Sequence, residues 1–398
     1  MRVLQIANKF PYPARDGGSI ATLNLGNSLA SLGHKVTVLA INTSKHYTDP
    51  ASVPRELHDA VRFISVPVNT DIKVFRLVQN FLFSSLPYNA ERFISKAFND
   101  KLKLLLTREK FDIIQLEGLY LAPYLETIRT YSDAKVVMRA HNIEHEIWTR
   151  TASKEKGPKK WYLSHLAGRI KNMELKYLNR YDAILPITGR DETMLKTLGC
   201  SLPSHVVPMG INAREMIPDH ASLEFPSVFH IGALDWMPNQ EGLYWFFNHV
   251  WGKILDKHPD LRFYLAGRNA PDHFKKLLYR NVIYVGEVKD AHDFIRSKAI
   301  MVVPIMSGSG LRIKIIEGMA LGKAIVTTSI GTEGIATTNG KNIFISDGPD
   351  EFAKHVCKLV EDRTYCLEIG ENARNFVTAQ YDNHTISSAL MAFYQKLT

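Results

Sequence analysis

Apolar residues gather along this chain in short, nearly continuous runs separated by segments of helical spacing. The first run is Val3-Leu4-Gln5-Ile6-Ala7, followed by a Pro/Gly loop to Gly18. A helical pattern (Leu23, Leu25, Leu29, Leu32) then stops at Gly33, and a second run spans Val36 to Ala40. The same device recurs with Val228-Phe229-His230-Ile231-Gly232, a loop through Pro238-Asn239, a helical run from Leu243 to Leu255, and Phe263 to Ala266. Val36 follows Val3 by 33 residues and Phe263 follows Val228 by 35. That spacing suits a βαβ unit, which requires parallel strands. A right-handed crossover puts each connecting loop at the carboxyl ends of the strands, where ligands bind.

Further runs fit buried parallel strands: Val61–Val66, Ile113–Leu116, Val136–Met138, Ala183–Ile187, Val282–Val285, Met301–Val303, Ala324–Thr327 and Ile343–Ile345. Their alternation with helical segments predicts an α/β protein with two doubly wound sheets. The expected domains are residues 1–207 and 208–380, joined near Pro208-Met209-Gly210.

Composition adds exclusions. The 398 residues are 45% hydrophobic and 22% charged, which excludes a disordered or fibrous chain. Cys200, Cys357 and Cys366 have no CxxC spacing, so neither a disulfide framework nor a thiolate zinc site is indicated. No apolar stretch approaches a spanning helix, and no leader segment is visible. The net charge of +9 is one-sided: residues 1–200 carry 29 Lys+Arg against 19 Asp+Glu, and residues 151–180 carry eight against two. Part of the surface is therefore suited to an anionic partner, or is simply basic.

The segment richest in chemistry is Pro304-Ile305-Met306-Ser307-Gly308-Ser309-Gly310-Leu311-Arg312-Ile313-Lys314-Ile315-Ile316-Glu317. It follows a buried strand and opens a helix ending near Gly322. Gly308 and Gly310 permit a tight turn close to a ligand. The amides of Ser309, Gly310 and Leu311 are expected at a helix N-terminus, an anion site that Arg312 and Lys314 strengthen. Glu317, a turn further on, is placed to accept from sugar hydroxyls. A flexible loop before a solvated helix is the alternative.

Here the chain resembles the retaining glycosyltransferases of the GT-B fold, in the family-four group, and especially their bacterial sugar transferases. The resemblance rests on Pro11-Tyr12-Pro13 with Asp16-Gly17-Gly18, His141-Asn142, Val207-Pro208-Met209-Gly210-Ile211, His230-Ile231-Gly232, Trp236-Met237-Pro238-Asn239, Leu265-Ala266-Gly267-Arg268, Val285-Gly286-Glu287-Val288, the 308–317 loop, and Gly331-Thr332-Glu333-Gly334-Ile335. It implies two Rossmann-like domains facing across a cleft, with a final helix (about 381–398) crossing back onto the first. It implies a nucleotide-diphosphate sugar as co-substrate, with Glu317 on the ribose and Gly308, Ser309, Gly310, Leu311, Arg312 and Lys314 around the diphosphate. The base would meet 285–288, including Val288. Arg268 would help with charge, Gly17 and Gly18 would let the first domain approach diphosphate or acceptor, and His141 would line the acceptor site. Glu333 meets the donor or is a solvated loop residue. Ser19 is expected to cap the first helix.

Two positions depart from the family. Ser309 stands where a second glutamate is common, and Ala233 where a basic residue is common. No Asp-x-Asp pair occurs, so Arg, Lys and helix N-termini are expected to neutralise the diphosphate, with no metal and no cofactor. His141 and His145, on one helix face, are the nearest approach to metal spacing, but the order is not His-Glu-x-x-His. The resemblance implies front-face displacement, in which the leaving phosphate takes the acceptor proton.

The expected activity is therefore transfer of a sugar to a glycan or lipid-linked acceptor in surface polysaccharide or glycoconjugate synthesis. Alternatives are a nucleotide-sugar epimerase, a non-catalytic sugar-nucleotide-binding subunit, and, lacking any nucleic-acid motif, a basic nucleic-acid binder. The expected location is cytoplasmic, peripheral on the inner face of the membrane if the basic segment 154–180 and the apolar segment 74–86 meet lipid. Otherwise 154–180 is a core-packed helix with a solvated basic face, and 74–86 is core.

Overall fold

The computed structural model describes every residue except Arg15, residues 276–278 and Ser309, and omits the side chains of His273 and Lys275. The chain divides into two compact units, Met1–Gly210 with Asn383–Thr398, and Ile211–Asp382.

The first unit holds a parallel sheet of β1 (Arg2–Ala7), β2 (Lys35–Thr43), β3 (Val61–Val68), β4 (Ile113–Glu117), β5 (Lys135–Ala140) and β6 (Ala183–Pro186). The second holds β7 (Glu224–Ile231), β8 (Phe263–Ala266), β9 (Val282–Gly286), β10 (Lys298–Val303), β11 (Ala324–Thr327) and β12 (Phe344–Ile345), again parallel. Their spatial orders, β3-β2-β1-β4-β5-β6 and β12-β11-β10-β7-β8-β9, are the same Rossmann-like arrangement used twice. The order reverses between β1 and β4 in one sheet and between β7 and β10 in the other. Loops leaving those strands diverge to opposite faces and open a crevice.

Strand residues pack on both faces of each sheet. Leu4 and Ile6 join one core cluster while Val3 and Ala7 join another, and Val228 and Phe229 divide in the same way. This two-sided burial is why the strands read as continuous apolar runs rather than alternating ones.

The helices that bear on function are α1 (Gly17–Ser31), α2 (Val74–Phe83), α3 (Glu144–Ser153), α4 (Gly157–Tyr177), α5 (Met237–Phe246), α6 (Ile313–Ala320) and α7 (Asn383–Leu397). α7 packs Ile386, Leu390, Met391 and Tyr394 against the cluster containing Val3, Leu25 and Leu29. In the second unit the Ile211 amide donates to the Tyr381 carbonyl at 2.9 Å, tying the entering and leaving chain side by side.

Two local expectations are corrected. Asp16, not Ser19, caps α1, because the helix begins at Gly17 and the Asp16 carboxylate accepts from the Ser19 amide at 3.0 Å. The helix after the 308–312 loop begins only at Ile313, so Gly310 and Leu311 precede it and do not supply its first-turn amides. Among the described residues, no helix is long and apolar enough to cross a membrane.

Candidate active site

In the second unit, the loops after β7 and β10 bring together residues far apart in sequence. Gly308 (φ 105°) and Gly310 (φ 89°) occupy the left-handed region that other residues avoid, which folds the loop back on itself. Arg312 is buried; its guanidinium donates to the Gly310 carbonyl and lies 5.4 Å from the Trp236 ring centroid. It thereby braces the loop from beneath. Burial lowers its pKa, and the Glu333 charge opposes that shift.

Lys314, in the first turn of α6, donates to Asn239 Oδ1 at 2.7 Å and lies 3.3 Å from His230 Nε2. His230 is wholly buried in β7, with Nδ1 2.8 Å from the Val302 carbonyl. A carbonyl only accepts, so Nδ1 carries the proton and Nε2 faces the lysine as an acceptor. Burial, then the Lys314 charge, push His230 far below its usual pKa. Burial and the Arg312 charge bring Lys314 down to about 7. One turn on, burial raises the Glu317 carboxyl, against the charges of His292 and Lys314. Two cations and a carboxyl thus gather around a glycine loop at the sheet's switch point, a geometry suited to a diphosphate with an attached sugar hydroxyl.

The remaining predicted donor residues are less concentrated. Arg268 is exposed, Val288 packs against the core cluster under α6, and Glu333 is half-buried between Thr332 and Gly334. Leu311 packs on that same cluster. Ser309 lies outside the described residues.

In the first unit, a cavity of about 170 Å³ opens where β1, β4 and β5 end. Lys9, Asp16, Gly18, Glu117, His141 and Glu144 are among its lining residues. Glu117 is its centre. His141 Nε2 donates to Glu117 Oε2 at 2.7 Å, and Arg139 lies 3.7 Å from the same oxygen. The Thr22 hydroxyl is 3.3 Å from it, Gln115 donates to the other oxygen, and Tyr394 of α7 donates to Gln115. Burial alone would raise the Glu117 carboxyl, but Arg139 and His141 outweigh it and hold the group below its usual pKa.

Gly17 and Gly18 keep ordinary φ values, so their role is space. A Cβ at Gly17 would meet the Met209 methyl at 3.3 Å, and one at Gly18 would come within 3.6 Å of Asp16. His141 and His145 do not share a helix face, as α3 starts only at Glu144; His145 pairs instead with Glu174. Among the described residues, no three His, Cys, Asp or Glu side chains gather to hold a metal ion.

Glu117, Asp16, His230 and Asn239 were not among the predicted site residues. A charge ending an otherwise apolar strand before a glycine, and a histidine inside another such strand, are the signals that point to Glu117 and His230.

The chain is similar to known proteins along its length. The model for Glycosyltransferase Family 4 matches residues 15–215, more than half of the chain, and that for Glycosyl transferases group 1 matches 225–362. A 44.6 kDa protein in the cps region of Klebsiella pneumoniae is 24% identical over 406 residues, covering 98% of both chains. Sucrose-phosphate synthase from Thermosynechococcus elongatus shares the fold at TM-score 0.69 and 16% identity, over 100% of this chain and 99% of that one. Anabaena HepE in complex with UDP-glucose shares it at TM-score 0.63 and 13% identity, over the whole of both chains. The fold is therefore GT-B, and the chain belongs to Glycosyltransferase Family 4.

Proposed function

We propose that this glycosyltransferase moves a sugar from a nucleotide-diphosphate donor to a glycan or lipid-linked acceptor in surface polysaccharide synthesis, with retention and without a metal. The carrying observation is the cluster at the β7–β10 switch point: Lys314 anchored by Asn239, Arg312 under the glycine loop, and Glu317 one turn on. The UDP-glucose complex of Anabaena HepE and the cps-region relative support the donor class and the pathway type.

In this reading, Lys314 and the loop amides stabilise charge developing on the leaving diphosphate, and Glu317 accepts from the ribose. The anomeric carbon–phosphate oxygen bond breaks as the acceptor oxygen bonds to the same face of that carbon. The acceptor proton passes to the departing phosphate oxygen, so no protein base is needed. His141, oriented by Glu117, positions the acceptor hydroxyl.

The test is a thermal-shift and turnover screen of UDP-, GDP-, ADP- and dTDP-sugars with and without EDTA. Stabilisation by one nucleotide family, with EDTA-insensitive release of the nucleoside diphosphate, is expected. Absence of stabilisation by all four would remove the donor assignment. Product anomeric configuration, read by NMR, checks retention.

A further inference from the structure

α2 is built inside out for a helix facing water. Its polar Asn80 is buried, donating to the Leu86 carbonyl at 3.0 Å and accepting from Arg169 at 3.1 Å. Arg169 also donates to the Leu86 carbonyl at 2.6 Å, so one cation of α4 clamps the helix through its polar side. Phe81 rests on α4, its ring 5.5 Å from Trp161 and 5.0 Å from His165. The opposite face is apolar and open: Phe75 is 80% exposed, Phe83 82%, and Val74, Val78 and Leu82 lie with them. Trp161, 63% exposed, extends the patch onto α4. Of the two alternatives for 74–86, lipid contact or core, this face is not core. The expectation of a core-packed α4 is met by Leu163, Leu166, Ile170 and Met173, while its lysines face outward.

Cations border this patch. Lys73 and Arg76 stand at one end, in the lining of a 450 Å³ pocket that also holds Arg92 and the carboxylates Asp71 and Glu91. Lys156, Lys159 and Lys160 are exposed just before Trp161, Lys159 sharing an exposed ion pair with Glu155 at 2.6 Å; no acidic residue occurs from 156 to 173 or from 72 to 90, although Asp71, Glu91 and Glu155 flank those stretches. Exposed aromatics ringed by cations complement a bilayer surface, with rings at the acyl boundary and lysines among anionic headgroups. Two copies meeting through this face would oppose like charges, which disfavours a dimer.

We propose that the open face of α2, with Trp161 and the lysines at the start of α4, docks this protein on an anionic lipid bilayer. The surface goes beyond the transfer chemistry and would hold the enzyme where a lipid-linked acceptor resides.

The experiment is flotation of the full chain with phosphatidylglycerol/phosphatidylcholine vesicles and with phosphatidylcholine alone. Binding to the anionic vesicles only, weakened by added salt, is expected. Phe75→Ser combined with Phe83→Ser, and separately Lys159→Glu with Lys160→Glu, should each weaken it by about tenfold or more. Circular dichroism and turnover on a soluble acceptor should stay unchanged, since these side chains are exposed and distant in sequence from the catalytic residues. Failure to float with anionic vesicles would overturn the proposal, as would undiminished flotation of both variants. A dimer in light scattering that the Phe75→Ser/Phe83→Ser variant dissociates would overturn it too, in favour of self-association. Flotation is read without donor or turnover, so its failure is distinct from failure of the transferase reading.

Discussion

The Lys314 ammonium lies 3.3 Å from His230 Nε2, the one ring nitrogen left to accept because Nδ1 is bonded to the Val302 carbonyl. Burial, with the Lys314 charge beside it, keeps the histidine neutral, and burial with the Arg312 charge brings the lysine pKa down to about 7. A lysine so placed changes its charge within the working pH range, and a bound diphosphate would draw it back to the charged form.

Donor affinity should therefore fall as pH rises through about 7. Below that pH Lys314 is already charged; above it, binding must take up a proton. Titration calorimetry in buffers of different ionisation enthalpy should show proton uptake near pH 8, and Lys314→Met should abolish both uptake and pH dependence. The stability of the free protein runs the other way. The folded pKa is depressed from 10.5, so between about 7 and 10.5 the unfolded chain binds more protons and Lys314 contributes rising stability with pH. The stability advantage of Lys314→Met over the natural protein should accordingly shrink from pH 7 to pH 9 in urea melts.

Glu317→Gln should retain the fold and lose donor affinity. A charged hydrogen bond contributes about 1.5–3 kcal/mol, which corresponds to roughly a 10- to 150-fold rise in KM for the nucleotide sugar. Unchanged donor KM, with an unchanged melting temperature, would remove Glu317 from the ribose.

Gly232→Ala separates space from conformation. Its Cβ would fall 2.6 Å from Lys314 Nζ, the far end of a flexible side chain, so the protein should fold with Lys314 displaced from Asn239 and donor binding weakened by about tenfold or more. At Gly242 the added carbon would fall 1.7 Å from the Pro304 carbonyl oxygen, backbone that cannot yield, and Gly242→Ala should fail to accumulate as folded protein. Expression yield and binding of the two variants compare the cases directly.

Glu117→Ala should destabilise strongly, by about 3–5 kcal/mol, because it leaves buried Arg139 without its carboxylate partner. His141→Ala removes only the half-buried partner of that carboxylate and should lose turnover far more than stability. Tyr394→Phe strips Gln115 of a donor and should cost about 1–3 kcal/mol. Chemical denaturation paired with turnover separates the three.

The architecture was legible in the apolar runs. Val3–Ala7 and Ala324–Thr327 emerge as strands within a residue of where they read, because strands covered on both faces need unbroken apolar sequence. The segment carrying Gly308, Gly310, Arg312, Lys314 and Glu317 was also legible, because these residues lie close together in sequence and its glycines take φ values that other residues avoid, although its helix begins only at Ile313. His230, Asn239, Glu117 and Tyr394 were not, since each acquires its role from a partner 24 to 279 residues away. Whether the apolar face of α2 is core or open was undecided in the sequence for the same reason: apolar spacing specifies that a helix has a sticky side, but not what covers it. Periodicity records burial element by element; which side chains meet, and which apolar face remains bare, depends on how the crossovers bring strand ends and helices together.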